Sequence, residues 1–278
     1  MSVKIVTDST ADIPQHLIDK YGIIELPLTV HFGDEEYRDR IDITSEQFYE
    51  KLVSSNKLPS TSQVNPKAFE DVYKAELEKG NSVISIHISS DLSGTYQSAV
   101  IAKSALQDDK ITVVDSRTAT IALGMIALKA AELSESGMDH NDIVEFIEDY
   151  KNKVKLLIAV DTLEYLKRGG RLSGAQAVIG NILNIKPILT ITDGKVAVVE
   201  KARGMKKAIK NIVEMIKEKG TAGKGRLIGI ANAKCPDTAD ELKTSISQEL
   251  GETKFIDTNV GSVIATHVGP GAFGVAYV

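Results

Sequence analysis

The stretch SSDLSGTYQSAV, from Ser89 to Val100, places four serines and a threonine where the apolar run VISIHI gives way to a helical pattern. Two kinds of chemistry use hydroxyls in that setting. A nucleophilic serine needs a base within hydrogen-bond reach and a third group that orients the base. Ser93 could borrow His267 as the base, but the sequence identifies no orienting acid. An anion site needs less: the free N–H groups and dipole at the start of a helix over 94–106 favour negative charge, and Ser93 adds a hydroxyl donor. A third reading makes Ser93 a helix N-cap and nothing more. Thr61 and Ser62, in a loop just before another helix start, could converge on the same anion.

Other candidates carry less chemistry. His267 lies in ATHVGPG, read as the last strand of the chain, where flanking glycines bring backbone close to a neighbour; a structural role and a site role both stay open. His87, inside an apolar strand, reads as a core histidine. The histidines have no paired spacing and the lone Cys235 adds nothing, so no metal site is expected. GPGAFG (269–274) fits the dinucleotide pattern, yet only four residues follow it and Pro270 lacks a donor, so no crossover helix can bind pyrophosphate. With no phosphate loop and no nucleophile elbow either, no cofactor is expected. Arg203 with Lys206, Lys207 and Lys210, and the two arginines of RGGRL (168–172), read by default as solvated or structural charge. The first cluster could instead meet an acidic partner or the negative surface of a membrane.

The elements that must position these residues alternate. VKIVTD is a strand, Asp12 and Pro14 open a helix that Gly22 closes, and IIELPLTVHFG is a second strand. Thr44 to Gln47 has capping-box chemistry, LPSTSQVNP is a loop, and Asn65-Pro66 caps the next helix. SVISIHI, a helix over 94–106, ITVVD and a helix over 119–136 continue the beat, which predicts an α/β fold with a parallel sheet covered on both faces. In such sheets ligands gather beyond the carboxyl ends of the strands, where Ser89–Thr95 and Asp115–Thr118 fall. After Gly137 the rhythm changes. Asp193-Gly194 is a strong hairpin signal, which makes a second sheet mixed, and SVIATHVG is read as a strand. Two domains are expected, 1–150 and 151–278.

Composition bounds the function. The 278 residues suit one large or two medium domains, and a net charge of -5 argues against nucleic acid as the main partner. A single unpaired cysteine suits a reducing compartment, so a cytoplasmic location is expected. MSVKIVTDST runs straight into a strand pattern and no apolar run approaches the roughly 18 residues of a membrane span, so a soluble, unexported chain is expected.

Taken in order, VTDSTADIP, PLTVHFGDEEYRD, STSQ, SSDLSGTYQSA, VVDSRTATIALG, DTLEYLKRGGRLSG, IKPIL with DGKV, KARGMKKA and THVGPGAFGVAY resemble the DegV family of bacterial fatty-acid-binding proteins over nearly the whole chain. Val64 departs from the family, which commonly has Pro after TSQ, and is expected to loosen the loop carrying Thr61. The resemblance implies an N-terminal three-layer α/β/α domain with a parallel sheet and a C-terminal two-layer α/β domain with a mixed sheet. It implies a long-chain fatty acid held in a buried tunnel between them, its carboxylate near Thr61 and Ser93, with Ser62, Gly94, Thr95, Arg203 and His267 around it. It also implies a fatty acid kinase as partner, an acyl phosphate that feeds phospholipid synthesis, and no catalytic residue in the binding protein itself. The opposing expectation from the residues alone is a hydrolase or acyl transferase using Ser93 and His267.

Overall fold

The computed structural model describes residues 2–55, 57–172, 185–219 and 226–278. Its first half runs β1 (Val3–Asp8), α1 (Gln15–Tyr21), β2 (Ile24–Leu26), β3 (Thr29–Phe32), β4 (Glu35–Arg38), α2 (Ser45–Ser54), β5 (Ser60–Ser62), α3 (Pro66–Glu78), β6 (Ser82–His87), α4 (Thr95–Leu106), β7 (Ile111–Asp115), α5 (Thr120–Glu135) and α6 (His140–Lys153). Strands β2, β1, β6 and β7 lie in that order and all pair in parallel. Every residue of β6 is buried, as a central strand with helices on both faces must be. Helices α3 and α4 pack together against it, and α5 and α6 pack together against it as well.

The second half runs β8 (Lys155–Ala159), α7 (Glu164–Arg168), β9 (Ile185–Thr192), β10 (Lys195–Arg203), α8 (Met205–Lys219), β11 (Arg226–Asn232), α9 (Pro236–Leu250), β12 (Thr253–Asn259), α10 (Ser262–Val268) and β13 (Phe273–Tyr277). Its sheet has the order β10-β9-β8-β13-β11-β12 and is mixed: β11 and β12 are parallel, the other pairs antiparallel. Asp193 and Gly194, with φ of 50 and 78, turn the β9–β10 hairpin through two left-handed residues, as that dipeptide predicts. The expected α/β class, parallel sheet first and mixed sheet second, is what the chain adopts.

Helix α5 joins the halves. It packs on β1 and β6 of the parallel sheet and on β11 and β13 of the mixed one. Eleven of its residues are buried, including Ala122, Met125 and Ala130. A helix apolar on all sides has to lie inside, and here it lies between two sheets.

Four local expectations are corrected. Pro27 divides IIELPLTVHFG, so β2 joins the parallel sheet while β3 leaves to pair antiparallel with β4 and β5. Thr61 therefore stands on a strand, opposite Val30, and not in a loop; with Val64 in the core at 4% exposure, this segment is held without a proline. Asp12 does not open a helix: its backbone is left-handed and Pro14 is the N-cap of α1. SVIATHV is a helix and not a strand, because Asp39 and Asp12, distant in sequence, accept the first N–H groups of that segment. The β-branched residues there suggested extended chain, and tertiary capping overrides that preference.

Candidate functional site

The carboxyl end of β6, the strand β5, the start of α5, the inner face of β8 to β10 and helix α10 enclose a cavity of about 310 Å³. That size falls within the range of small-molecule sites. Much of its wall is aliphatic: Leu28, Ile88, Leu92, Ile158, Leu189, Ile191, Val196, Val263 and Ile264 line it. Polar side chains gather from five separate segments: Thr61, Ser62 and Gln63 on and after β5, Ser93 before α4, Thr120 at the start of α5, Arg171 after α7 and His267 on α10. Such a cavity suits a molecule with a long apolar body and one polar end.

The polar groups are tied to one another. The Thr61 hydroxyl meets His267 Nε2 at 2.9 Å across 206 positions of sequence. Burial, with the Arg171 guanidinium as a smaller contribution, lowers the His267 imidazole to about 4, so the ring is neutral at pH 7. Its Nδ1 is buried and has no hydrogen-bond partner among the described residues. A Cβ added to Gly169 would lie 2.3 Å from that nitrogen, which explains a glycine in RGGRL. Ser93 Oγ lies 2.9 Å from Thr95 Oγ1 and accepts from the Thr95 N–H at 3.3 Å. The N-cap of α4 is Gly94, so Ser93 precedes the cap and serves the first turn from outside it. Gln63 lies across Gly94, where a Cβ would meet its Oε1 at 2.0 Å, and donates to Ser98 Oγ at 2.8 Å. Ser62 faces His31 Nε2 at 2.7 Å, at the exposed rim.

Of the residues singled out from sequence, Thr61, Ser62, Ser93, Gly94 and His267 line the cavity. Thr95 is fully buried behind Ser93. Arg203 is not brought to the cavity: it ends β10 as an exposed residue opposite Ile185. Lys206 and Lys210 line a separate surface groove between α8 and α9 together with Glu214, Glu241 and Glu249. Sequence reasoning missed Arg171, which it left as structural charge. Arg171 donates to the carbonyls of Leu92 at 3.1 Å and Gly169 at 2.6 Å and brings to the cavity a guanidinium where the resemblance implied that of Arg203. The two glycines before it are the signal that could have found it. Ser173 and Gly174, the end of that motif, lie outside the described residues.

The arrangement does not assemble a serine nucleophile at Ser93. Its hydroxyl pairs with Thr95, His267 pairs with Thr61, and no acid orients His267. A Ser–His–Asp chain does exist elsewhere, Ser85 to His87 at 2.6 Å and His87 to Asp8 at 2.9 Å, but all three residues are at 0% exposure in the core. His87 is thus the core histidine its strand suggested. Among the described residues no helix is long and apolar enough to cross a membrane, and no group of three His, Cys, Asp or Glu could hold a metal ion.

Comparison with known proteins places the chain. The model of the DegV family matches residues 2–278, and the chain belongs to that family. A DegV domain-containing protein of Caldanaerobacter subterraneus is 41% identical over 275 residues, 99% of this chain and 98% of that one. A solved structure described as fatty acid binding of a DegV family protein, from Thermus thermophilus, superposes with a TM-score of 0.93 at 36% identity, covering 100% of this chain and 99% of that one. DegV of Bacillus subtilis, described as a fatty acid binding protein, gives a TM-score of 0.90 at 38% identity over 100% and 99% of the two chains.

Proposed function

We propose that this chain binds a long-chain fatty acid between an N-terminal domain, 1–150, and a C-terminal domain, 151–278, and presents its carboxylate to a fatty acid kinase. The observation that carries the reading is the cavity itself, aliphatic along its body with Thr61, Ser93, Arg171 and His267 together among its polar residues. The fatty-acid-binding relatives from Thermus thermophilus and Bacillus subtilis support the same ligand class. Energetically the tail does the holding. Each buried methylene contributes about 0.8 kcal/mol, so ~14 of them give on the order of 10 kcal/mol before ordering costs. The head then needs only orientation, from the Thr61 and Ser93 hydroxyls, Ser62 on β5, Gly94 and Thr95 at the start of α4, Arg171 and neutral His267. A carboxylate oriented from one side keeps an oxygen available for phosphoryl transfer by the kinase, and the acyl phosphate feeds phospholipid synthesis in the cytoplasm. The chain acts as a carrier and supplies no catalytic group. Arg203 and the lysines after it face the kinase or an anionic membrane surface.

The test is denaturing extraction of the purified protein followed by mass spectrometry, with a native mass spectrum alongside. One fatty acid per chain, released unmodified, supports the carrier. A protein that is empty and fails to take up added palmitate or oleate overturns it, and a covalent adduct at Ser93 with an active-site serine probe would favour the hydrolase.

A further inference from the structure

Helix α10 is seven residues long, and helices below about 12 residues are marginal on their own. It nevertheless carries His267 and contributes Val263, Ile264 and Val268 to the cavity wall. Two carboxyls from the N-terminal half hold its start. The Gly261 N–H donates to Asp12 Oδ1 at 2.8 Å. The N–H and hydroxyl of Ser262 donate to Asp39 Oδ1 at 2.8 Å and 2.6 Å. The other oxygen of Asp12, Oδ2, accepts from the Thr120 hydroxyl at 2.6 Å, and Thr120 begins α5 and lines the cavity.

This clasp is buried and tightly fitted. Asp12 is 0% exposed and Asp39 1%. A Cβ on Gly261 would lie 3.1 Å from Asp12 Oδ1 and 3.0 Å from Asp39 Oδ2, tighter than an ordinary contact. Asp12 and Thr120 both have φ of 50, in the left-handed region that a β-branched residue rarely adopts. Strain of this kind persists only where the surroundings over-determine it, and it clusters at ligand sites.

We propose that Asp12 is a positioning residue for the ligand site: one carboxyl, with an oxygen on the start of α10 and an oxygen on the start of α5, fixes where His267 meets Thr61. Asp39 seats the same helix start. No contact between Asp12 and the ligand is involved, and the inference leans on the fatty-acid reading only for its affinity readout.

The clasp has a pH signature. Asp12 faces the Arg40 guanidinium, Asp39 and the Tyr49 ring, Asp39 faces Arg40 and the Ser9 hydroxyl, and Arg40 is already committed to Glu25 Oε2 at 3.2 Å and the Ile13 carbonyl at 2.6 Å. Two buried carboxyls and the half-buried Glu25 thus share the Arg40 guanidinium. Burial pushes Asp12 and Glu25 up to about 7 and raises Asp39, while His267 stays neutral down to about 4. The His267 ring therefore senses protonation of Asp12 through α10 in a range where the ring itself does not titrate.

The experiment is NMR of the imidazole nitrogens in the full chain, empty and palmitate-loaded, between pH 5.5 and 8.5, with palmitate affinity measured in parallel. Asp12→Ala should move the His267 signals and weaken palmitate at least tenfold. Asp12→Asn keeps an acceptor for Gly261 and an amide that can donate to Thr120, so it should restore the ring position and most of the affinity, yet lose the inflection near pH 7. Ile143→Val, a core truncation away from the clasp, controls for stability alone and should change neither signal. Signals unmoved in Asp12→Ala, or an inflection near pH 7 that survives Asp12→Asn in a Glu25→Gln background, overturn the proposal. Should Asp12→Ala fail to fold, Thr120→Val removes only the hydroxyl that Asp12 accepts, and unmoved His267 signals in that variant overturn it equally. A wild-type protein that takes up no palmitate defeats the fatty-acid reading, while the signals of the empty protein still decide the role of Asp12.

Discussion

The Thr61 hydroxyl and His267 Nε2 meet at 2.9 Å, while the opposite ring nitrogen of His267 looks onto Gly169. The ring is thus fixed on one side by a hydrogen bond and on the other by the lack of a side chain.

Gly169→Ala should break this pair without unfolding the protein. Gly169 has φ of -72, which alanine adopts freely, so backbone strain is not the cause. The added methyl meets His267 Nδ1 at 2.3 Å and forces the ring away from Thr61. Fatty acid affinity should fall at least tenfold with Tm changed by only a few degrees. Gly170 gives the contrast. It has φ of +71 and open space around it, so Gly170→Ala should cost about 1 kcal/mol of stability and leave affinity intact. Isothermal titration and thermal melts of the two variants distinguish contact from conformation; equal affinities in both would remove Gly169 from the site.

Stability should respond to pH through two opposed groups. His267 is lowered from 6.5 to about 4, mainly by burial, so the unfolded chain binds a proton more readily. Its contribution is intact above pH 6.5 and is lost as the pH falls towards 4, by roughly 3 kcal/mol. Glu25 is raised from 4.5 to about 7 by burial, so its contribution is intact below pH 4.5 and is lost as the pH rises towards 7. Asp12 acts in the same sense as Glu25. Urea unfolding of His267→Gln should therefore show stability falling more steeply from pH 4.5 to 7 than in the wild type. Glu25→Gln should show the reverse tilt. Identical slopes in all three proteins would contradict both shifts.

How much of this was legible beforehand follows the range of the interactions. Local chemistry read correctly: the Thr44 capping box, Asn65 with Pro66 at the start of α3, and the Asp193-Gly194 turn all rest on residues within four of one another. Thr61, Ser93 and His267 were flagged from residue type and motif, yet nothing local pairs Thr61 with a histidine 206 positions away. The misread segments depend on distant partners in the same way. Strand β5 exists through β3, and α10 exists through Asp12 and Asp39. Arg171 was passed over because a lone arginine beside glycines looks like surface charge until the cavity beside it is known.

Arg171→Gln should act on both head group and ring. Its guanidinium lines the cavity and, among the described residues, is the charged group that lowers His267 besides burial itself. Charge-assisted hydrogen bonds contribute about 1.5–3 kcal/mol, so fatty acid affinity should drop roughly tenfold or more. The His267 imidazole should titrate at a higher pH than in the wild type, read from its ring signals. An unchanged His267 titration would mean that Arg171 is too well solvated to act on the ring.

Arg203 separates binding from delivery. It lies exposed at the end of β10, outside the cavity, and Lys206, Lys207 and Lys210 follow it on α8. Arg203→Ala should therefore leave fatty acid affinity within twofold of the wild type, because Arg203 does not line the cavity. If these cations dock the kinase, acyl phosphate formation at equal occupancy should slow several-fold in the variant. The wild-type rate should itself fall as salt rises, since exposed charges are screened beyond about 8 Å at physiological ionic strength. The variant should then depend on salt less steeply than the wild type, having one fewer charge to screen. Transfer that is independent of salt and unaffected by Arg203→Ala would move the docking surface elsewhere, and a loss of affinity in the same variant would bring Arg203 back to the ligand.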